Sequence, residues 1–262
     1  MYNIKLCLYL QIILIILSNN YISYSAPIYY IDTPTHKYFL DQPAILTQYW
    51  NHNNQITSGK NQIIFTCPDG FKILDFAVAS HNLTTIMGVL LTNRSRAYLE
   101  IWDLNTSSRL FVKNMTQYQP WKILFSDVDQ DSIIEVCLGV YKKSPLHPVF
   151  AKRLFIYNFE KGLQPKWLGS RLARPFKDFS FFKINDQTTL ISLELNHKDQ
   201  TCLNSYIWDC FGFTGIETGF NNTFINANSL NTGYVFQSNK YQPALFVLNH
   251  NAVAKIIAKP EE

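Results

Sequence analysis

The sequence predicts an all-β fold, a β-propeller of about four to five blades or a fragment of a larger propeller. Three observations predict it. The chain of 262 residues is 47% hydrophobic and 15% aromatic, with 19 Phe, 15 Tyr and 5 Trp. Wide side chains of this kind fit the pleated surface of strands. The segments opening at Phe71, Trp121 and Phe176 share an outline: an aromatic residue, then Lys, then alternating apolar positions. A matching strand with a polar end follows about thirty residues into each unit, as LEIWDLN (99–105), LFIYNFE (154–160) and SYIWDCF (205–211). Periods near fifty with several short strands per unit indicate blades. A blade buries its faces only by stacking on neighbours, so the units form one cooperative body.

Taken in order, the chain opens with a targeting segment. Met1 to Lys5 is a short positive region, and Leu6 to Leu17 is a twelve-residue apolar run. That is shorter than the roughly 20 residues a membrane-spanning helix needs and fits a secretory signal. Ser23 and Ser25 supply small residues before a cleavage point at Ala26, so residues 1–25 are expected to be a signal peptide and 26–262 the propeller domain. The alternative is an uncleaved N-terminal anchor. The expected location is extracytoplasmic, secreted or envelope-associated. Segments 44–50 (AILTQYW) and 61–67 (NQIIFTC) add strands before the first repeat, and 245–251 (LFVLNHN) is a fourth copy of the third strand. The count is four full units plus one divided between the termini.

The units are not equal in charge. From Lys142 to Lys177 nine basic residues face one acid, Glu160. That segment carries +8 within a chain of net charge +4, so the remainder carries −4. Lys152, Arg153, Arg171 and Arg174, with His147, are candidates for binding a carboxylate, sulfate or phosphate, for which the planar guanidinium is suited. A solvated blade edge is the plain alternative, since lysine on an edge also discourages strand-to-strand aggregation. The partner expected is a protein or an anionic polysaccharide. Nucleic acid is not expected of an exported chain.

Between the first two strands of the unit opening at Trp121 lies Asp127-Val128-Asp129-Gln130-Asp131-Ser132-Ile133-Ile134-Glu135. This resembles the calcium loop of FG-GAP/VCBS-type propeller repeats, in which three alternating carboxylates and a fourth acid precede an apolar strand. The resemblance in outline covers about residues 71–211, and the motif itself stands in one unit. It implies an extracytoplasmic propeller that binds other proteins or carbohydrates. It also implies one Ca²⁺ held by Asp127, Asp129, Asp131, a carbonyl near Ile133, and Glu135. Ser132 stands where the family has glycine.

No nucleophile elbow, zinc-protease helix, phosphate loop or dinucleotide fingerprint is present, and no cysteines have zinc spacing. A propeller glycan hydrolase or lyase would need two carboxylates facing the channel. Asp75 and Asp178, on first strands, are the pair that could be offered. The expectation is a non-catalytic binding propeller, with the hydrolase or a purely structural envelope component as alternatives. Cys67, Cys137, Cys202 and Cys210 suggest no disulfide pairing. The sequons at Asn82, Asn93, Asn105, Asn114 and Asn221 are close to the number chance gives.

Overall fold

The computed structural model describes residues 28–42, 45–59, 62–81, 83–159, 161–169, 171–184, 186–217, 227–237, 240–249 and 252–258. The expected signal peptide, Asn82 and Asn221 lie outside the described residues. Among the described residues, twenty strands form five four-stranded sheets.

Four sheets are blades of consecutive antiparallel strands. The first holds β1's successors β2 (His36–Gln42), β3 (Ile45–His52), β4 (Gln55–Ser58) and β5 (Ile63–Thr66), where β1 is Ile28–Ile31. The second holds β6 (Lys72–His81), β7 (Thr84–Thr92), β8 (Ala97–Asp103) and β9 (Ser108–Asn114). The third holds β10 (Pro120–Ser126), β11 (Glu135–Ser144), β12 (His147–Asn158) and β13 (Gln164–Leu168). The fourth holds β14 (Phe176–Ile184), β15 (Gln187–Leu195), β16 (Thr201–Asp209) and β17 (Gly212–Ile216). The fifth sheet joins the two ends of the chain. β1 pairs antiparallel with β18 (Ser229–Gln237), from Ile28↔Phe236 to Ile31↔Gly233, and β19 (Lys240–Asn249) and β20 (Ala252–Ala258) follow. The division of one unit between the termini is thus as the repeats predicted, and LFVLNHN overlaps the third strand of its sheet.

Burial follows from blade stacking. The second strands β7, β11 and β15 are apolar runs buried over most of their length, because a neighbouring blade covers each face. The fourth strands β9 and β13 are exposed or half-buried along their whole length. Apolar clusters accordingly lie between blades. Ile86, Leu90, Leu99 and Ile101 of the second blade pack on Val136, Leu138 and Tyr157 of the third. Cys137, Leu154 and Ile156 of the third pack on Phe176, Phe179 and Phe181 of the fourth. Trp121 lies against Gly139, where an added Cβ would come within 2.6 Å of the indole, and meets Phe179 edge-on at 5.7 Å. Cys67, Cys137 and Cys202 are buried free thiols, and Cys210 is exposed and free.

Each first strand of blades two to four carries a β-bulge near its start, between Ile73 and Asp75, Pro120 and Lys122, and Phe176 and Asp178. The bulge brings Asp75, Lys122 and Asp178 to one equivalent position. The alignment of Lys72, Lys122 and Lys177 suggested by the sequence is therefore shifted, by three residues in the second blade and by one in the fourth. At this position sit buried charges. Lys37 of β2 pairs with Asp75 at 3.2 Å, and Lys122 pairs with Asp178 at 2.7 Å. Asp75 Oδ2 accepts from the Ile123 N–H at 2.9 Å, and Asp178 Oδ2 accepts from the Leu230 N–H at 2.9 Å. Lys122 Nζ also donates to the carbonyls of Phe179 (2.7 Å) and Leu230 (2.9 Å).

Removing one member of such a pair strands the other in the interior, a loss of about 3–5 kcal/mol. Lys122→Ala is expected to lower the unfolding free energy by an amount in that range, read by urea denaturation. Lys122→Met combined with Asp178→Leu is expected to recover only part of it, because the charge is no longer stranded but the Phe179 and Leu230 carbonyls and the Leu230 N–H lose these partners. Equal stability of Lys122→Ala and wild type would show that the pair does not hold the blades.

Candidate functional site

The acidic loop between β10 and β11 is built from its backbone outward. Gln130 (φ 62°) and Ser132 (φ 70°) adopt the left-handed conformation. Ser132 thus holds, at some strain, the backbone that a glycine takes without cost. The Ser132 N–H donates to Asp127 Oδ2 at 3.0 Å, and the Ile133 N–H donates to Asp131 Oδ1 at 2.8 Å. The Val128 N–H donates to Glu135 Oε2 at 2.9 Å. Gln130 Nε2 donates to the Asp186 carbonyl at 2.8 Å, tying the loop to the fourth blade.

Asp127, Asp129 and Glu135 offer carboxylate oxygens that lie within 4.8 Å of one another. Glu135 is fully buried. Asp131 does not join them: it is exposed, and its carboxylate is turned onto the Ile133 N–H. The four-acid set expected from the sequence is thus a three-acid set. Its centre contains a feature the motif did not announce. Lys166, from β13, places Nζ 2.5 Å from Asp129 Oδ2 and 2.5 Å from Glu135 Oε1. Burial raises the Glu135 pKa above its ordinary value, and the hydrogen bonds from Lys166 and Val128 offset this only in part. For Lys166, burial alone would lower the pKa, but hydrogen bonds to Asp129 and Glu135 raise it on balance.

Whether a hard cation fits is decided by the remaining oxygens. Asp127 Oδ1 and Asp129 Oδ1 are buried and accept no hydrogen bond. Unpartnered buried carboxylate oxygens are what a cation satisfies. Lys166 supplies one positive charge against three negative ones, so the donor set fits a cation in competition with the ammonium.

The basic segment is less of a surface than its charge implied. Arg153 is fully buried, which corrects its assignment to an anion-binding face. Its Nε donates to the Lys142 carbonyl (2.7 Å), and its Nη2 donates to the carbonyls of His147 (3.0 Å) and Val149 (2.8 Å). His147 Nδ1 lies 3.2 Å from the same Nη2, so this histidine is also part of the hairpin's internal bonding. Lys152 is turned inward: Nζ sits 4.0 Å from the Trp121 ring centroid and donates to the Lys177 carbonyl. Burial lowers its pKa. Arg174 is half-buried, with Nη1 3.4 Å from Cys202 Sγ, and Arg171 is exposed. The five residues do not form one patch. A net charge counted along the chain cannot distinguish cations that face water from cations that satisfy interior carbonyls.

Asp75 and Asp178 are both buried, and each has both oxygens engaged by a lysine or by backbone N–H groups. These are the carboxylates that hold adjacent blades. A further buried acid, Glu194, accepts from Ser192 Oγ (2.7 Å), Tyr206 Oη (2.5 Å) and Asn204 Nδ2 (2.6 Å), a network that no sequence pattern singled out. The sequon asparagines Asn93, Asn105 and Asn114 use their side-chain oxygens on backbone N–H groups of Arg96, Thr85 and Thr116. Among the described residues, no helix is long and apolar enough to cross a membrane.

Protein-family models give no match to this chain, and curated proteins give none. Among solved structures it is similar to the Dos1 propeller, at 13% identity and a TM-score of 0.43, over 81% of this chain and 67% of that one. It is also similar to a bifunctional GH43-CE protein of Bacteroides eggerthii, at 12% identity and a TM-score of 0.44, over 89% of this chain and 36% of that one.

The Lys166 cluster predicts a defined pH response. A raised folded-state pKa means that the Lys166 pairing contributes stability fully present below its ordinary value of 10.5, and lost as the pH rises through the raised value. In Lys166→Met, Glu135 is left without its cation and is relieved only by protonation. The stability gap between wild type and variant, from urea denaturation across pH, is therefore expected to be widest near neutrality. It should narrow as the pH falls through the raised Glu135 value and again at the alkaline end. A gap independent of pH would assign the lysine a packing role only.

Proposed function

We propose that the chain is an exported, non-catalytic β-propeller that binds a protein or an anionic glycan, with a calcium loop of the FG-GAP/VCBS type on its third blade. The observation that carries the non-catalytic part is the engagement of Asp75 and Asp178. A general acid or base must reach substrate within hydrogen-bond distance, and these carboxylates, at 3% and 6% exposure, face lysines and backbone instead. A hydrolase or lyase on this fold would have to draw its carboxylates from elsewhere.

The exposed cations of the third blade and of its connection to the fourth support the anionic partner. Lys143 and Arg171 face water, and exposed like charges raise the local concentration of opposite charge. Retention on a heparin-type polyanion matrix is expected to weaken steeply between low and physiological salt, because screening shortens the reach of exposed charge. Lys143→Ala with Arg171→Ala is expected to elute markedly earlier than wild type, with an unchanged melting temperature. Arg153→Lys is expected to destabilise the third blade rather than to act as a binding variant. Identical elution of the double variant and wild type would remove the anion-binding reading.

Calcium, in this reading, is a structural cofactor of the third blade, held by Asp127, Asp129 and Glu135. Its affinity is expected near the extracellular range of about 10⁻⁴–10⁻³ M, weakened by the Lys166 ammonium. Millimolar calcium is expected to raise the melting midpoint of wild type over that in chelator, by preferential binding to the folded chain. The rise should vanish in Asp129→Ala and grow in Lys166→Met. Equal midpoints with and without calcium in both wild type and Lys166→Met would leave the loop a turn closed by lysine alone.

A further inference from the structure

The β11–β12 hairpin of the third blade ends in an apolar tip that the fold does not cover. Leu146, in the turn, is 86% exposed, and Val149 and Phe150 are 56% and 48% exposed. Tyr141, on the opposite strand, stacks on Phe150 with ring centroids 5.7 Å apart and an interplanar angle of 23°. Adjacent residues of a strand point to opposite faces, so Val149 and Phe150 make the tip apolar on both sides. A groove on a protein contacts one face of a hairpin. A tip that is apolar all round fits a medium that surrounds it.

Charge narrows the choice of medium. From Val136 to Phe159 the sequence contains no acid. Lys143 stands three residues behind Leu146, about 10 Å at roughly 3.3 Å per residue, whereas Lys142 turns its Nζ onto the Tyr118 ring, 4.5 Å from the centroid. Lys143 Nζ lies 5.3 Å from the Phe150 ring centroid, beside the apolar tip. Lys142 pairs with Ala151 and Ser144 with His147, so Lys143 stands level with Val149 and Phe150 and Leu146 leads them. An apolar end followed by a level of apolar, aromatic and lysine side chains matches the depth order of a bilayer surface, where apolar groups reach about 5–10 Å into the headgroup and acyl boundary. Lysines at such a boundary meet anionic headgroups.

The tip is also held ready. Arg153, fully buried at its base, bonds the carbonyls of Lys142 on one strand and of His147 and Val149 on the other. The Ser144 hydroxyl accepts from the His147 N–H at 3.1 Å across the turn. Little conformational freedom is left for binding to remove.

We propose that this hairpin inserts its tip into the interface of an anionic lipid bilayer, with Leu146 leading Val149 and Phe150 into the headgroup and acyl boundary and Lys143 meeting the headgroups. This goes beyond the binding of a soluble partner and does not depend on it.

The test is flotation of the full chain with vesicles of phosphatidylcholine, alone or mixed with phosphatidylserine. Every variant keeps the same N-terminus, so differences between variants isolate the hairpin. Wild type is expected to float with the mixed vesicles. Leu146→Glu with Phe150→Glu is expected to reduce the bound fraction by roughly tenfold or more, since two charges then enter the apolar layer. Lys143→Glu is expected to reduce the preference for mixed over neutral vesicles severalfold. All three positions are exposed, so unchanged melting temperatures are the control for folding. Leu146→Trp gives a second reading: its emission is expected to shift to shorter wavelength with mixed vesicles, beyond any shift of wild type. Wild-type flotation of the Leu146→Glu, Phe150→Glu variant, or no added shift in Leu146→Trp, would overturn the proposal and leave the tip to a protein partner.

Discussion

The fold depends on how its blades are joined near the start of their first strands. A stack of sheets can be held by apolar contact alone, but apolar contact is not directional and leaves register free. The buried pairs Lys37–Asp75 and Lys122–Asp178 supply direction. Each aspartate uses one oxygen on the lysine and on the N–H of its following residue, and the other on a backbone N–H of the next blade. The sign alternates along the chain: lysine in the first blade, aspartate in the second, lysine in the third, aspartate in the fourth. Two like charges in succession would leave one uncompensated, at several kcal/mol. The alternation therefore limits which blade can follow which, and the bulge before each charge in blades two to four is the backbone device that aims it inward.

The same logic governs the third blade's surplus of positive charge. Its cations are distributed by what each must neutralise. Lys122 serves Asp178 and two carbonyls, Arg153 serves three carbonyls of one hairpin, and Lys166 serves Asp129 and Glu135. Lys152 covers Trp121, which in turn lies flat on Gly139. What reads along the chain as a +8 surface includes, in space, three interior fasteners: Lys152, Arg153 and Lys166. Lys143, Lys161 and Arg171 are the cations of this segment that face water.

The propeller was legible because repetition is a property of the sequence itself. An aromatic opening, a strand thirty residues on and a fifty-residue period recur whatever the tertiary contacts are. The blade shared by the chain ends was legible for the same reason, through the fourth copy at 245–251. The site was legible only where its residues are neighbours in sequence. Asp127, Asp129 and Glu135 lie within nine positions, and the motif found them. Lys166, thirty-one residues beyond Glu135, pairs with them through β12 and β13, and no local pattern marks it. Arg153 misled for a related reason: arginine is ordinarily a surface residue, and only the turn of the β11–β12 hairpin places three carbonyls where its guanidinium can reach them. The lysines are misaligned because an aromatic-Lys pair recurs at different distances from the bulge in each blade, which a period count cannot see.

Why the acidic loop stands in one blade follows from loop length. β6 and β7, and β14 and β15, are joined by two residues, whereas β10 and β11 are joined by the eight residues 127–134. A two-residue turn is held by the strands it joins. A longer loop loses more chain entropy on closure and has backbone groups that no strand partner satisfies. Here Asp127 takes the Ser132 N–H, Asp131 takes the Ile133 N–H and Glu135 takes the Val128 N–H. That solution gathers carboxylates and so creates a new problem of mutual repulsion. A cation must follow, and Lys166 is the one the chain provides, on the exposed fourth strand where a long side chain can bend back over the blade. Its single charge leaves Asp127 Oδ1 and Asp129 Oδ1 unsatisfied. The loop is thus closed by lysine but not saturated by it.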